Sequence, residues 1–130
     1  MDIVEFQQAV SRMKEERDWN QFHQPKDLLL GFVEEIGKFR NIIKWEQDPA
    51  ALRRLLVSEC SDERRREIVD FFGDALWYLA SLADYCKVDL REAMKEVIDG
   101  HDRRFPVAKV HGTTANPKTG GFDGKYRGRG

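Results

Sequence analysis

Apolar residues return every three or four positions through most of the chain, the spacing that lines one face of an α-helix. A first helix is predicted from about Asp2 to Asp18, with Ile3, Phe6, Val10 and Met13 on one side. An aromatic linker follows, Trp19-Asn20-Gln21-Phe22-His23-Gln24. Pro25 then suits the opening of a second helix, where its missing N–H has no helical partner to lose. This helix should reach about Glu46 and bury Leu29, Phe32, Val33, Ile36, Phe39 and Ile43. Asp48-Pro49 interrupts the pattern, and Ala51 to Val57 reads as a short extra helix. Ser61 offers a hydroxyl cap, and Asp62 and Glu63 place acids beside the positive end of the helix dipole. A third helix is therefore predicted from Asp62 to Lys87, with Ile68, Phe72, Ala75, Leu79, Leu82 and Cys86 facing inward. Asp89-Leu90-Arg91-Glu92 reads as a capping box that opens a fourth helix, ended by Gly100. No strand-like alternation, internal repeat or heptad run interrupts this pattern, so the predicted class is all-α, a bundle of four main helices.

After Pro106 the composition changes. Residues 107–130 are rich in glycine, and Lys109, Lys118, Lys125, Arg127 and Arg129 stand against Asp123. The expected organisation is a helical domain over 1–106 and a Gly-rich basic tail over 107–130. Such tails are usually flexible, and the sharper alternative is one that folds over an anionic ligand. At 130 residues the chain is long enough for one domain, with apolar surface left for a partner subunit to cover.

Charge narrows the functional classes. Charged residues make up 35% of the chain, yet 22 basic side chains nearly cancel 23 acidic ones. A dedicated DNA-coating protein or a polybasic membrane binder needs a net positive field, so nucleic acid and membrane are unlikely partners by this measure. No apolar stretch is long enough to span a bilayer, and Met1-Asp2-Ile3-Val4-Glu5 lacks the basic-then-apolar order of a secretory signal. Cys60 and Cys86 lack metal-motif spacing and are expected to stay reduced as packing residues, which makes a cytoplasmic location the expectation.

Carboxylates in apolar surroundings carry the candidate chemistry. Glu34 and Glu35 sit in the apolar run of the second helix, and Asp74 lies within Phe71-Phe72-Gly73-Asp74-Ala75-Leu76-Trp77. An acid in such a place is costly unless a cation or hydrogen-bond donor meets it. The plain reading pairs Glu34 with Lys38 at i,i+4 and satisfies Asp74 with a buried Arg or Tyr. The functional reading makes them metal ligands.

A run of motifs favours the functional reading. The segment Arg17-Asp18-Trp19-Asn20-Gln21-Phe22-His23-Gln24-Pro25-Lys26-Asp27-Leu28-Leu29-Leu30 resembles the entry to the MazG-type all-α nucleotide pyrophosphohydrolases, closest to their small dCTP pyrophosphatase-like group. Glu34-Glu35-Ile36-Gly37 with Trp45 continues the likeness, and Gly73-Asp74-Ala75-Leu76-Trp77-Tyr78-Leu79 supplies its second half. Arg103-Arg104-Phe105-Pro106-Val107, Lys109, Gly112 and Lys125-Tyr126 are similar to the family's closing segment. The likeness covers nearly the whole chain, with separate motifs in matching order.

The resemblance implies a homodimer or homotetramer that cleaves a nucleoside triphosphate to the monophosphate and pyrophosphate. It also implies Mg²⁺, held by an E-x-x-E pair on one helix and an E-x-x-D pair on another, because i,i+3 spacing puts both acids of a pair on one face. The matching metal positions are Glu35 and Asp74, and the nucleotide-binding positions are Trp19, Phe22, His23, Trp45 and Tyr78, with Arg104 and Lys109 for phosphate. The remaining two acid positions depart from the pattern, being Lys38 and Phe71. Val10, Asp27, Val97 and His101 also replace residues usual in the family. Two outcomes stay open. Either Asp70 and Glu34 complete a shifted Mg²⁺ site, or the Lys38 ammonium neutralises Glu35 and Asp74 in place of a metal, with catalysis reduced or lost and nucleotide binding or assembly retained.

Overall fold

The computed structural model describes residues 1–112, and the expectations for residues 113–130, Lys125 and Tyr126 included, lie outside the described residues. Among the described residues the regular structure is entirely helical: α1 (Ile3–Glu16), α2 (Pro25–Ile43), α3 (Pro49–Arg53), α4 (Asp62–Tyr85), α5 (Leu90–Arg104) and α6 (Val107–Val110). A 3₁₀ turn at Trp19–Gln21 precedes α2, and a π-helical turn at Arg54–Ser58 follows α3. The chain divides into two compact units, Met1–Leu90 and a second beginning at Arg91. No described helix is long and apolar enough to cross a membrane.

Local chemistry sets the helix ends. Asp2 accepts from the Glu5 N–H while Glu5 accepts from the Asp2 N–H, a complete capping box. Pro25 opens α2 as expected. Asp48 caps α3 by accepting from Ala51 N–H at 3.1 Å, and Ser61 caps α4 by accepting from Arg64 N–H at 3.1 Å. Lys87 takes a left-handed conformation (φ 58°) beyond α4. Its N–H reaches the Asp84 carbonyl, and the Val88 N–H reaches that of Ala83 at 2.8 Å, closing a Schellman turn. Gln7 ties α1 to this turn through both ends of its amide: it donates to the Val88 carbonyl at 2.8 Å and accepts from Leu90 N–H at 3.0 Å.

Within the first unit α4 packs against α2 on one side and α1 on another. The buried apolar centre is small: Val10, Leu28, Ile68, Ala80 and Ala83. Several expected core positions are instead exposed, Leu29, Val33 and Ile36 on α2 and Phe72 and Leu79 on α4. The reason is geometric. Helix α2 is apolar around most of its circumference, and a single neighbour covers one stripe of it. Met13 is exposed as well, because Lys14, four residues after Val10, takes the inward place on α1. Cys86 is exposed because it caps α4 rather than continuing its face.

Helix α4 stops at Tyr85 rather than Lys87, the short extra helix begins at Pro49 and passes into a π-helical turn at Arg54, and two further ends differ from expectation. Helix α2 stops at Ile43, three residues short of Glu46. Helix α5 runs through Gly100 to Arg104, so this glycine does not end it. Gly100 is buried mid-helix, and a Cβ there would meet the Arg104 guanidinium at 2.8 Å. It serves close packing, and Phe105-Pro106 ends the helix, since the residue before proline is driven out of the α region.

Candidate functional site

The long pair α2 and α4 builds the site. Glu35 and Lys38 lie one turn apart on α2, and Asp70, Phe71 and Asp74 follow the same helical logic on α4. Together with Arg64 they line a groove of about 490 Å³. Five positions singled out in the sequence therefore meet in one place.

Gly31 sets how closely the two helices approach. A Cβ at this position would lie 2.5 Å from the Tyr78 hydroxyl, so only glycine lets the α2 backbone pass the ring. Tyr78 itself packs edge-on against Phe32, with centroids 6.2 Å apart.

Inside the groove Lys38 Nζ donates to Glu35 Oε1 at 2.9 Å. Lys38 thus pairs at i,i+3 with Glu35 rather than at i,i+4 with Glu34. The Glu35 side chain is 13% exposed and that of Lys38 is 71% exposed, so the cation sits at the mouth and the acid beneath it. The hydrogen bond to Glu35, reinforced by its charge, raises the Lys38 pKa. Asp74 holds its proton more tightly than an ordinary aspartate. Partial desolvation is the main cause, followed by the charge and hydrogen bonding of Glu35 and the charge of Asp70, with Lys38 opposing. Desolvation and the charges of Glu35, Asp74 and Glu34 raise the Tyr78 pKa, with Lys38 opposing, so its phenol remains a hydrogen-bond donor.

Phe71 fills part of the groove with an apolar ring, its centroid 4.8 Å from that of Phe39. The donor set does not fit a Mg²⁺ cage. One of the two central acids is held by an ammonium, partial desolvation and Glu35 make the other hold its proton more tightly than an ordinary aspartate, and the Phe71 ring lies beside them. Among the described residues no three His, Cys, Asp or Glu side chains are grouped to hold a metal ion. Asp70 reaches the groove, whereas Glu34 is absent from its lining and acts on Lys38 and Tyr78 only through its charge.

The aromatic positions divide. Trp19 packs against His23 at 5.8 Å and meets Trp77 edge-on at 6.3 Å. Phe22 is exposed. Trp45 is 86% exposed, with the Lys44 ammonium 5.2 Å from its ring centroid. Trp19 precedes α2 and Trp45 follows it, so about 27 Å of helix separates them. In the second unit Arg104 closes α5 and packs over Gly100, and Lys109 lies exposed on α6. Arg64 and Gly31 carry no motif of their own. The signal for Gly31 was a glycine inside a strongly apolar helix, where it costs stability unless another backbone or ring needs the space.

No family model matches the chain. It is 37% identical over 98 residues to dCTP pyrophosphatase 1 of Bos taurus, covering 75% of this chain and 56% of that protein. It is likewise 37% identical over 92 residues to dCTP pyrophosphatase 1 of Homo sapiens, covering 71% of this chain and 52% of the relative. The chain thus spans about half the length of the curated relatives it matches. A crystal structure of a pyrophosphatase from Archaeoglobus fulgidus shares the fold, with a TM-score of 0.66 and 24% identity over 78% of this chain and 90% of that one. This chain is a homologue of dCTP pyrophosphatase 1 over three quarters of its length, in keeping with the MazG-like group that its motifs resemble.

Proposed function

We propose that the chain binds nucleoside triphosphates in the α2–α4 groove as a nucleotide pyrophosphohydrolase homologue, and that its metal-dependent hydrolysis is reduced. The carrying observation is the 2.9 Å ion pair of Lys38 with Glu35 beside Asp74, with Phe71 at the remaining acid position. Mg²⁺ in a complete site of this kind would polarise the phosphates and activate water. Here Lys38 neutralises Glu35 and offers N–H donors to a phosphate oxygen, but an ammonium cannot generate a hydroxide nucleophile. Asp74, with its raised pKa, is a weaker ligand than an ordinary aspartate. Tyr78 keeps its proton and can hydrogen-bond an oxygen of the ligand.

The exposed apolar faces of α2 and α4, and the separation of Trp19 from Trp45, support assembly of the helices with a second copy into a homodimer or homotetramer. Two copies would bring aromatic residues from opposite helix ends to one nucleotide. Sedimentation should then give at least twice the mass of one chain, and a monomer would contradict this part.

Calorimetric titration with dNTPs, with and without Mg²⁺, tests the binding reading. Binding that survives chelation of divalent cations supports it, and absence of binding in both conditions overturns it. A second reading, a non-catalytic nucleotide-binding or assembly protein on the same fold, is favoured by the Lys38 and Phe71 replacements. It predicts nucleotide binding or assembly with no pyrophosphate release.

A further inference from the structure

A second cavity, of about 340 Å³, lies along α1 and α4, and its lining includes Lys14, Asn20, His23, Ser81 and Asp84. It shares no lining residue with the α2–α4 groove. Lys14 reaches it from the face of α1 that also buries Val10, four residues earlier. At 3% exposed, Lys14 is the one charged side chain buried among the described residues. The proposed chemistry of the groove makes no use of it.

This surrounding changes what the amine can do. Burial lowers the Lys14 pKa, and the charge of Asp84 restores it only in part. Among the described residues no carboxylate closes an ion pair with it. Lys38 and Lys95 are shifted the other way, each by a hydrogen bond to an acid one turn away. A larger share of Lys14 is therefore the free amine, whose lone pair is a nucleophile. His23, in the same lining, is held below the ordinary histidine range by burial and then by the charge of Lys14, with Asp27 opposing. Its ring is thus neutral at pH 7, and its Nδ1 is buried without a hydrogen-bond partner. The charges of the lining cancel, Lys14 and Lys87 against Glu15 and Asp84, so the cavity suits a small neutral molecule better than an ion.

We propose that Lys14 is a Schiff-base-forming amine, and that the cavity admits a small neutral aldehyde or ketone to it. The Nζ lone pair bonds to the carbonyl carbon, and the carbonyl oxygen takes up the proton that the nitrogen gives up. The resulting carbinolamine loses its hydroxyl together with the second nitrogen proton as water, leaving a C=N bond. His23, whose charge is coupled to that of Lys14, is the lining group suited to pass a proton from nitrogen to oxygen. Asp84 favours the protonated, cationic imine through its charge. This inference is independent of nucleotide binding in the groove.

The test is reductive trapping of the full chain with acetaldehyde and cyanoborohydride at pH 7, followed by peptide mapping in a mass spectrometer. Lys38 and Lys95 serve as internal references, being exposed and held protonated by their acids. Ethylation of Lys14 should begin about fivefold or more faster than that of either reference, the advantage of a desolvated amine over one hydrogen-bonded to a carboxylate. In urea sufficient to unfold the chain, the advantage should vanish. Labelling of folded Lys14 no faster than that of Lys38 and Lys95 overturns the inference. An advantage that persists in urea also overturns it, because its source would then be the local sequence and not the cavity.

Discussion

The groove between α2 and α4 and the cavity along α1 and α4 both place charge against apolar helix surfaces, but the charge is met in different ways. In the groove the half-buried Glu35 finds its cation one turn away on the same helix, and Lys38 remains open to water. In the cavity the buried group is the cation itself, Lys14, and among the described residues no carboxylate closes an ion pair with it. A local i,i+3 pair satisfies an acid wherever the helix goes, whereas the burial of Lys14 is offset only in part by the charge of Asp84 on another helix.

Substitutions that disturb one region and spare the other sharpen this contrast. Gly31→Ala places a Cβ against the Tyr78 ring and should lose about 1–3 kcal/mol by overpacking in denaturant unfolding. Unchanged stability would mean that α2 and α4 are not held so closely. Lys14→Met removes a buried ammonium and should raise ligand-free stability by roughly 1 kcal/mol or more.

The pH dependence of the Lys14 variant has a definite sign. A lysine whose folded pKa is depressed costs stability while its unfolded form is protonated. That cost is relieved as pH rises from the folded pKa toward the ordinary lysine range. The stability advantage of Lys14→Met should accordingly shrink at high pH, and an advantage that grew would break the comparison.

Smaller effects are expected in the groove. Gly37→Ala meets nothing within 4 Å and should stabilise α2 by about 0.5–1 kcal/mol, the opposite sign to Gly31→Ala on the same helix. Asp74→Asn should gain less than about 1 kcal/mol near neutral pH, because the residue is exposed and its charge is screened. A raised carboxylate pKa favours the fold below the ordinary aspartate range and loses that contribution as pH rises through the folded value. The asparagine variant should thus gain at neutral pH and lose that advantage in acid.

Helix positions were legible from periodicity and caps because those signals are local: Asp48, Ser61 and Pro25 act on residues three or four away. The meeting of Glu35, Lys38, Asp70, Phe71 and Asp74 was legible through i,i+3 and i,i+4 spacing on two long helices. What stayed hidden depends on the phase of one helix against another. Leu28 is buried and Leu29 exposed, though both are apolar neighbours, because only the packing of α4 decides which one faces inward. Lys14 was passed over for Met13 for the same reason, since hydrophobicity ranks the two in the opposite order to their burial. Ser81 has no sequence signal apart from being a small polar residue among alanine and leucine.

Pyrophosphate release from a panel of NTPs and dNTPs with Mg²⁺ or Mn²⁺, measured for the unaltered chain beside Lys38→Glu/Phe71→Glu, tests the central claim most directly. The account predicts slow release by the unaltered chain and release about 10- to 100-fold faster by the double variant, which removes the ammonium and restores two carboxylates. Rapid turnover of a nucleotide by the unaltered chain, with no gain in the variant, would contradict it.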